Sequence, residues 1–338
     1  MARGNRRVVV AELPAGPLEA RHFRIAEGPM PVPGPGEVLC RTILASPDPI
    51  QRMEMRGRTY RGGLAPGDVM AGFTLSEVVE ANGTGLAAGT IVSCEAGWQE
   101  YAALPASAVV PVQVRGPLTH HLSALGLTGL TAYFGLLEVG RPCAGETVVV
   151  SAAAGATGSV AGQLARLHGC RAVGITGSDA KRRVLEDELG FDATVSHRSG
   201  TLAADLRAAC PDGIDVYFDN VGGAVLDACL LRMNPHGRVV CCGVLSQYDA
   251  AGAPAPGPRA VPGLVISRRL RLEGFVVLDF AGRWPEAQER LAGWIGARAL
   301  RVLEEIDDGL DAAPAALVDV LAGRNIGKRI VRVGPDPA

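Results

Sequence analysis

Two rhythms of apolar and polar positions divide this chain, and the change between them falls near Leu122. Before it, short apolar runs at 8–11, 38–44, 74–80, 90–94 and 99–104 are punctuated by glycine and proline turns. Runs of that length between turn residues predict β-strands, and so many in succession predict a small barrel or sandwich. After it, a helix-like segment at 125–139 leads into strands and helices at βαβ spacing. Strands are expected at 147–151, 171–176, 192–195, 215–219, 238–244 and 271–277. Helices are expected at 159–168, 180–189, 201–209 and 223–233, with a long amphipathic one at 284–299. The tail returns to the first style, with strands at 300–305 and 328–333 around a helix at 314–322. An α/β nucleotide-type domain over 122–299 is therefore expected within a β-rich domain made of 1–121 and 300–338. Residues 250–263, rich in Ala, Pro and Gly, read as a long irregular loop and a candidate lid.

Composition adds limits to this layout. A net charge of −2 gives no long-range attraction for nucleic acid or an anionic membrane. Forty-four glycines and 23 prolines are spread among apolar runs, so they mark turns rather than disorder. The eight cysteines contain no C-x-x-C pair and no zinc-finger spacing, which favours buried free thiols in a reducing compartment. Glu12 and Pro14 break the first apolar run, so it does not read as a signal peptide. No uncharged stretch is long enough to span a bilayer. A cytoplasmic protein acting on small molecules is the expectation.

The chemistry is concentrated where Val148-Val149-Val150-Ser151 runs into Ala152-Ala153-Ala154-Gly155-Ala156-Thr157-Gly158. Strand, small-residue turn and helix in that order let a backbone approach a pyrophosphate at a helix start. Ala153 stands where the first glycine of G-x-G-x-x-G is usual; Gly155, Ala156, Thr157 and Gly158 remain the candidate cradle. A strand at 171–176 completes the βαβ unit. At its end, where an acid would meet a free ribose, the chain reads Thr176-Gly177-Ser178. Lys181-Arg182-Arg183 come next, offering charge to a 2′-phosphate, so NADP(H) is favoured over NAD; Asp179 remains an alternative ribose partner.

Strings along nearly the whole chain resemble the zinc-free branch of the medium-chain dehydrogenase/reductase superfamily. The likeness is greatest to NADPH-dependent curcumin reductases and prostaglandin or leukotriene double-bond reductases. It is carried by Asn5-Arg6-Arg7, Ser46-Pro47-Asp48-Pro49, Gly97-Trp98-Gln99-Glu100-Tyr101, Gly155-Ala156-Thr157-Gly158-Ser159 and Asp219-Asn220-Val221-Gly222-Gly223. Cys242-Gly243 and Gly323-Arg324-Asn325-Ile326-Gly327 extend it toward the tail. The resemblance implies a Rossmann doubly wound sheet inserted in a GroES-like, β-barrel-containing domain. It implies that Lys181 grips the 2′-phosphate, with His197 and Arg198 standing where relatives have tyrosine and lysine; Ser178 is a further cofactor-binding candidate. Asn220 and Asn325 would line the cofactor, and Cys242 and Gly243 would lie beside the nicotinamide.

In such reductases a hydride reaches the β-carbon of an enone. The enolate is then held by a tyrosine, matched here by Tyr248, and by a cofactor ribose hydroxyl. Ile50 replaces a pocket tyrosine of the relatives, so a different native substrate is expected. Trp98 and Tyr133 are further pocket candidates. The family's zinc ligands are missing, and the adjacent His120 and His121 point apart, so no metal is expected. A homodimer through the edge strand at 271–277 is implied as well. Competing readings are a zinc-free carbonyl or quinone reductase, an alcohol dehydrogenase and a non-enzymatic NADPH-binding protein. The change of pocket is also compatible with a biosynthetic step.

Overall fold

Successive valines in the first α/β strand send their side chains to opposite faces. Val148 and Val150 join Val216, Phe218 and Val240 on one side, whereas Val149 joins Val173, Tyr217 and Val239 on the other. A sheet that is apolar on both faces needs helices over both, which selects parallel α/β architecture. The protein, here a computed structural model, is described over residues 4–57, 62–248 and 261–337. It divides into two compact units. Unit one comprises Met1–Leu122, Glu304–Asn325 and Arg329–Ala338; unit two comprises Ser123–Leu303 and Ile326–Lys328.

In unit one, β1 (Asn5–Val10) and β2 (Phe23–Gly28) pair antiparallel, with Val8 opposite Ile25. A second sheet is built from β3 (Glu37–Ala45), β4 (Thr74–Glu80), β5 (Ile91–Cys94), β6 (Tyr101–Pro105) and β7 (Val109–Pro111). The long β3 pairs antiparallel with both β4 and β6. One apolar cluster gathers Val8, Val10, Phe23, Met55, Met70 and Trp98; another gathers Val38, Cys40, Val78, Val92 and Cys94.

Unit two contains β8 (Thr147–Ser151), β9 (Arg171–Thr176), β10 (Ala193–Ser196), β11 (Ile214–Asp219), β12 (Met233–Cys241) and β13 (Arg271–Gly274). All neighbours are parallel, in the order β10-β9-β8-β11-β12-β13. Chain direction across the sheet therefore reverses between β8 and β11, and the crevice at that switch point is where such sheets take ligands. The chain then returns to unit one as β14 (Glu304–Asp308) and β15 (Lys328–Arg332), beside β3.

Several expected boundaries move. The helix expected at 125–139 is α-helical over Leu127–Phe134 and widens into a π-helix over Gly135–Gly140. A Cβ on Gly135 would fall 2.5 Å from the Phe275 ring, so only glycine allows this approach. The strand expected at 271–277 stops at Gly274, and Val277–Arg283 turns as a 3-10 helix. The strand expected at 238–244 is Met233–Cys241. The strand expected from residue 300 begins at Glu304, because Leu300 is buried in the unit-two core and Arg301 is hydrogen-bonded to Gln163. Of the loop expected at 250–263, residues 261–263 open the helix Val261–Arg268, and 249–260 lie outside the described residues. All eight cysteines are free thiols, five of them buried.

Candidate functional site

The glycine turn is shaped by crowding. Ala152 adopts a positive φ of 48° and its carbonyl accepts the Gly155 N–H at 2.9 Å. A Cβ on Gly158 would lie 2.4 Å from that same carbonyl oxygen and 2.8 Å from Ala153 Cα, so the helix Ala156–Leu167 can start here only with glycine. Ala153, in place of the motif's first glycine, is fully buried. It is accommodated because its neighbour across the sheet is Gly174, whose added Cβ would come within 3.1 Å of it. Gly155 caps the helix without a side chain, leaving the first-turn N–H groups for an external acceptor. A later segment braces the turn: Gly327 donates its N–H to the Ala154 carbonyl at 2.7 Å.

Across the switch point, Ser151 and Asp219 end their strands and organise the loop beyond β11. Asp219 Oδ1 accepts the N–H groups of Val221 (3.0 Å) and Gly222 (2.9 Å) and the Tyr217 hydroxyl (2.7 Å). Burial, together with the neighbouring Cys229 and Asp219, holds the Tyr217 phenol well above its ordinary pKa, so it stays a neutral donor. Ser151 Oγ donates to Asp219 and accepts the Asn220 N–H at 2.9 Å, while Asn220 Nδ2 donates to the Ser151 carbonyl at 2.7 Å. Asn220 is thereby fixed directly after β11, at the switch point.

The next crossover is tied to the same loop. The N–H groups of Cys242 and Gly243 both donate to the Asp219 carbonyl. Leu245 and Ser246 donate to the carbonyls of Asn220 and Val221, and the one-turn helix Leu245–Tyr248 comes next. Tyr248 is thus half-buried on a segment anchored beside Asn220. Burial, then Asp219 and Cys241, pushes the Cys242 thiol up to about 12, which removes it as a nucleophile at neutral pH. Ser151 and Asp219 were not among the site residues read from sequence. Their signal was a polar residue closing an otherwise apolar strand.

Beyond β9 the cations converge. Ser178 caps the helix Asp179–Arg183, accepting the Lys181 N–H at 3.4 Å. An added Cβ on Gly177 would meet the His197 ring at 2.7 Å and Arg198 Nε at 3.3 Å, so both side chains lie across this glycine. Burial, then Arg198 and Lys181, lowers the His197 pKa. Arg182 is engaged elsewhere, with Thr194 at 3.0 Å and Asp179 at 3.4 Å. Among the described residues no carboxylate pairs with Arg198.

The remaining candidates fall differently. Ile50 is half-buried at the start of the helix Ile50–Glu54, and it belongs to none of the packed clusters. Its position is fixed by the buried Gln51, whose amide joins the Asp48 N–H and the Ala71 carbonyl. Trp98 and Tyr133 are core residues rather than open pocket walls. Trp98 is fully buried against Phe23, and its indole nitrogen finds no hydrogen-bond partner among the described residues. Tyr133 is packed between Phe134 and Trp294, and its hydroxyl accepts from Arg290 at 2.8 Å. Asn325 is a buried residue of unit one. His121 is buried and accepts the Arg115 N–H at 3.0 Å. Among the described residues no group of three or more His, Cys, Asp or Glu side chains is arranged to hold a metal ion.

A parallel sheet that reverses order at a glycine turn, with a cationic corner past its second strand, defines a dinucleotide-binding α/β protein. A family model described as the N-terminal domain of oxidoreductases matches residues 6–112, and one described as zinc-binding dehydrogenase matches 156–293. The chain is 40% identical to an NADPH-dependent curcumin reductase of Escherichia coli (strain K12), with 98% of each chain covered. It is 38% identical to prostaglandin reductase 1 of Mus musculus, covering 92% of this chain and 94% of that one. A crystal structure of CurA in complex with NADPH, from Vibrio vulnificus, superposes with a TM-score of 0.92. That chain is 33% identical, and the match covers 98% of this chain and 100% of that one. The chain belongs to the medium-chain dehydrogenase/reductase family.

Proposed function

We propose that this chain is an NADPH-dependent reductase of an activated carbon–carbon double bond, acting on a small enone-type substrate. The observation that carries the reading is the joining of two features on one sheet. A cationic corner past β9 suits a 2′-phosphate, and Tyr248 is on the segment whose backbone is tied to the loop after β11. The glycine turn at Gly155–Gly158 would receive the pyrophosphate; Ser178, Lys181, His197 and Arg198 the 2′-phosphate; Asn220, Cys242 and Gly243 the nicotinamide end. Bound NADPH supplies a hydride. The chain's own part is to orient and to stabilise charge. Tyr248 donates a hydrogen bond to the substrate oxygen, where negative charge develops as the β-carbon is reduced. Related proteins named as curcumin, prostaglandin and 2-alkenal reductases support this substrate class. We further infer a homodimer that pairs along β13, an edge strand of the sheet.

NADPH consumption against a small enone, with NADH in parallel and products assigned by NMR, checks the proposal. Loss of the vinyl protons with the ketone retained, faster with NADPH, is the expected result; an allylic alcohol overturns it. Tyr248→Phe is expected to lower kcat by about 100-fold with little change in KM, as loss of one oxyanion donor does elsewhere.

A further inference from the structure

Lys181, His197 and Arg198, three basic side chains of two kinds, meet at the corner past β9. Lys181 and Arg198 carry permanent charge at neutral pH, whereas His197 is able to change its charge there. The imidazole and the Arg198 guanidinium both lie across Gly177, at the end of the strand where the adenosine ribose of a bound dinucleotide belongs. The charged groups acting on His197 are Arg198 on its own loop and Lys181 on the facing helix Asp179–Arg183. On that helix Asp179 and Arg182 are turned toward each other, and the Thr176 carbonyl is the neutral acceptor for the ring. Before an anion arrives, the two fixed cations disfavour a third charge. A phosphate between them reverses the balance, because a dianion favours the charged ring and gains a charge-assisted hydrogen bond from it.

We propose that His197 takes up a proton from solvent as the 2′-phosphate of NADP(H) binds, so that cofactor affinity and cofactor preference depend on pH. The inference rests on the proposed NADPH function. Linkage gives the sign. Binding raises the proton affinity of the ring, so NADPH affinity is highest below the free-state pKa of His197 and falls as pH rises toward the bound-state pKa. One site limits the slope to about tenfold per pH unit. NADH, without the phosphate, gains nothing from this proton.

Titration calorimetry of the intact protein tests it, with NADPH and NADH measured between pH 6.5 and 8.5 (roughly the window set by the ordinary histidine and phosphate pKa values). Repeating each titration in buffers of different ionisation enthalpy counts the protons taken up. The expected result is a NADPH affinity that falls several-fold more steeply with pH than that of NADH, with net proton uptake on binding. His197→Gln is expected to remove most of that excess slope and uptake while keeping a preference for NADPH through Lys181 and Arg198. Equal slopes and equal uptake in wild type and His197→Gln overturn the inference. If NADPH binds no better than NADH at every pH, it is instead the phosphate-site reading that fails. A uniform loss of affinity at all pH values in the variant would assign His197 a merely structural role and also overturn the inference.

Discussion

Single residues decide whether the glycine turn can exist. Gly158 has an ordinary backbone conformation, yet its missing side chain is what lets the helix start against Ala152 and Ala153. The atom a methyl would strike is a main-chain carbonyl, which cannot swing away as a side chain can. Gly158→Ala is expected to cost about 3 kcal/mol, in the range of overpacked sites, and to weaken cofactor binding. Gly16→Ala, where an added Cβ meets nothing within 4 Å, serves as the control and is expected to leave the midpoint of denaturation unchanged. Comparing the two denaturant curves checks this, and equal midpoints would overturn the crowding argument. The motif glycines were legible because their spacing is local. The roles of Trp98 and Tyr133 were not, because an aromatic side chain in a core and one lining a cleft follow the same apolar pattern.

At the scale of elements, β8, β9 and β11 announced themselves through the apolar runs that both faces of the sheet demand. β2 was missed for the opposite reason. In Phe23–Gly28 only Phe23 is buried, so the strand rests on backbone pairing to β1 and carries little apolar signal. β14 was displaced similarly. Its sequence, Glu304-Glu305-Ile306-Asp307-Asp308, is mostly acidic, and it is matched by Arg329 on β15, which binds Glu305 at 2.7 Å and Asp307 at 2.5 Å. Charge complementarity between two strands cannot be read from either strand alone.

The loop after β11 is the element with most consequence for chemistry. One carboxylate oxygen of Asp219 gathers two backbone N–H groups and a phenol. Asp219→Ala leaves those donors without an acceptor in a buried place, an expected loss of roughly 2–4 kcal/mol. Tyr217→Phe removes one bond only and is expected to cost about 1 kcal/mol. Thermal denaturation of both variants ranks them, and the reverse order would show that Tyr217, not Asp219, holds the loop.

For the whole molecule, the exposed edge matters most. β13 closes one side of the six-stranded sheet, and Val276 and Leu278 just beyond it are 37% and 45% exposed. A sheet edge with exposed apolar residues just beyond it invites a second copy. Light scattering on the intact protein is expected to give the mass of a dimer. Val276→Lys combined with Leu278→Lys should give a monomer of unchanged thermal stability, because repulsion falls on the interface and not on the core. A monomeric wild type ends the proposal. Ile326–Lys328 goes with unit two although the chain on both sides of it belongs to unit one. No local pattern announces that exception, since it is made by main-chain bonds of Gly327 and Lys328.

That short return has a consequence in the order of synthesis. The glycine turn leaves the ribosome early, but the N–H that meets the Ala154 carbonyl belongs to Gly327, far downstream. The strand that β3 needs as a neighbour begins one residue later, at Lys328. A nascent chain that has reached only Asn325 therefore has neither unit finished, one lacking a brace and the other a strand. Both are completed by the same few residues, which couples the final folding of the two units to a single moment of translation.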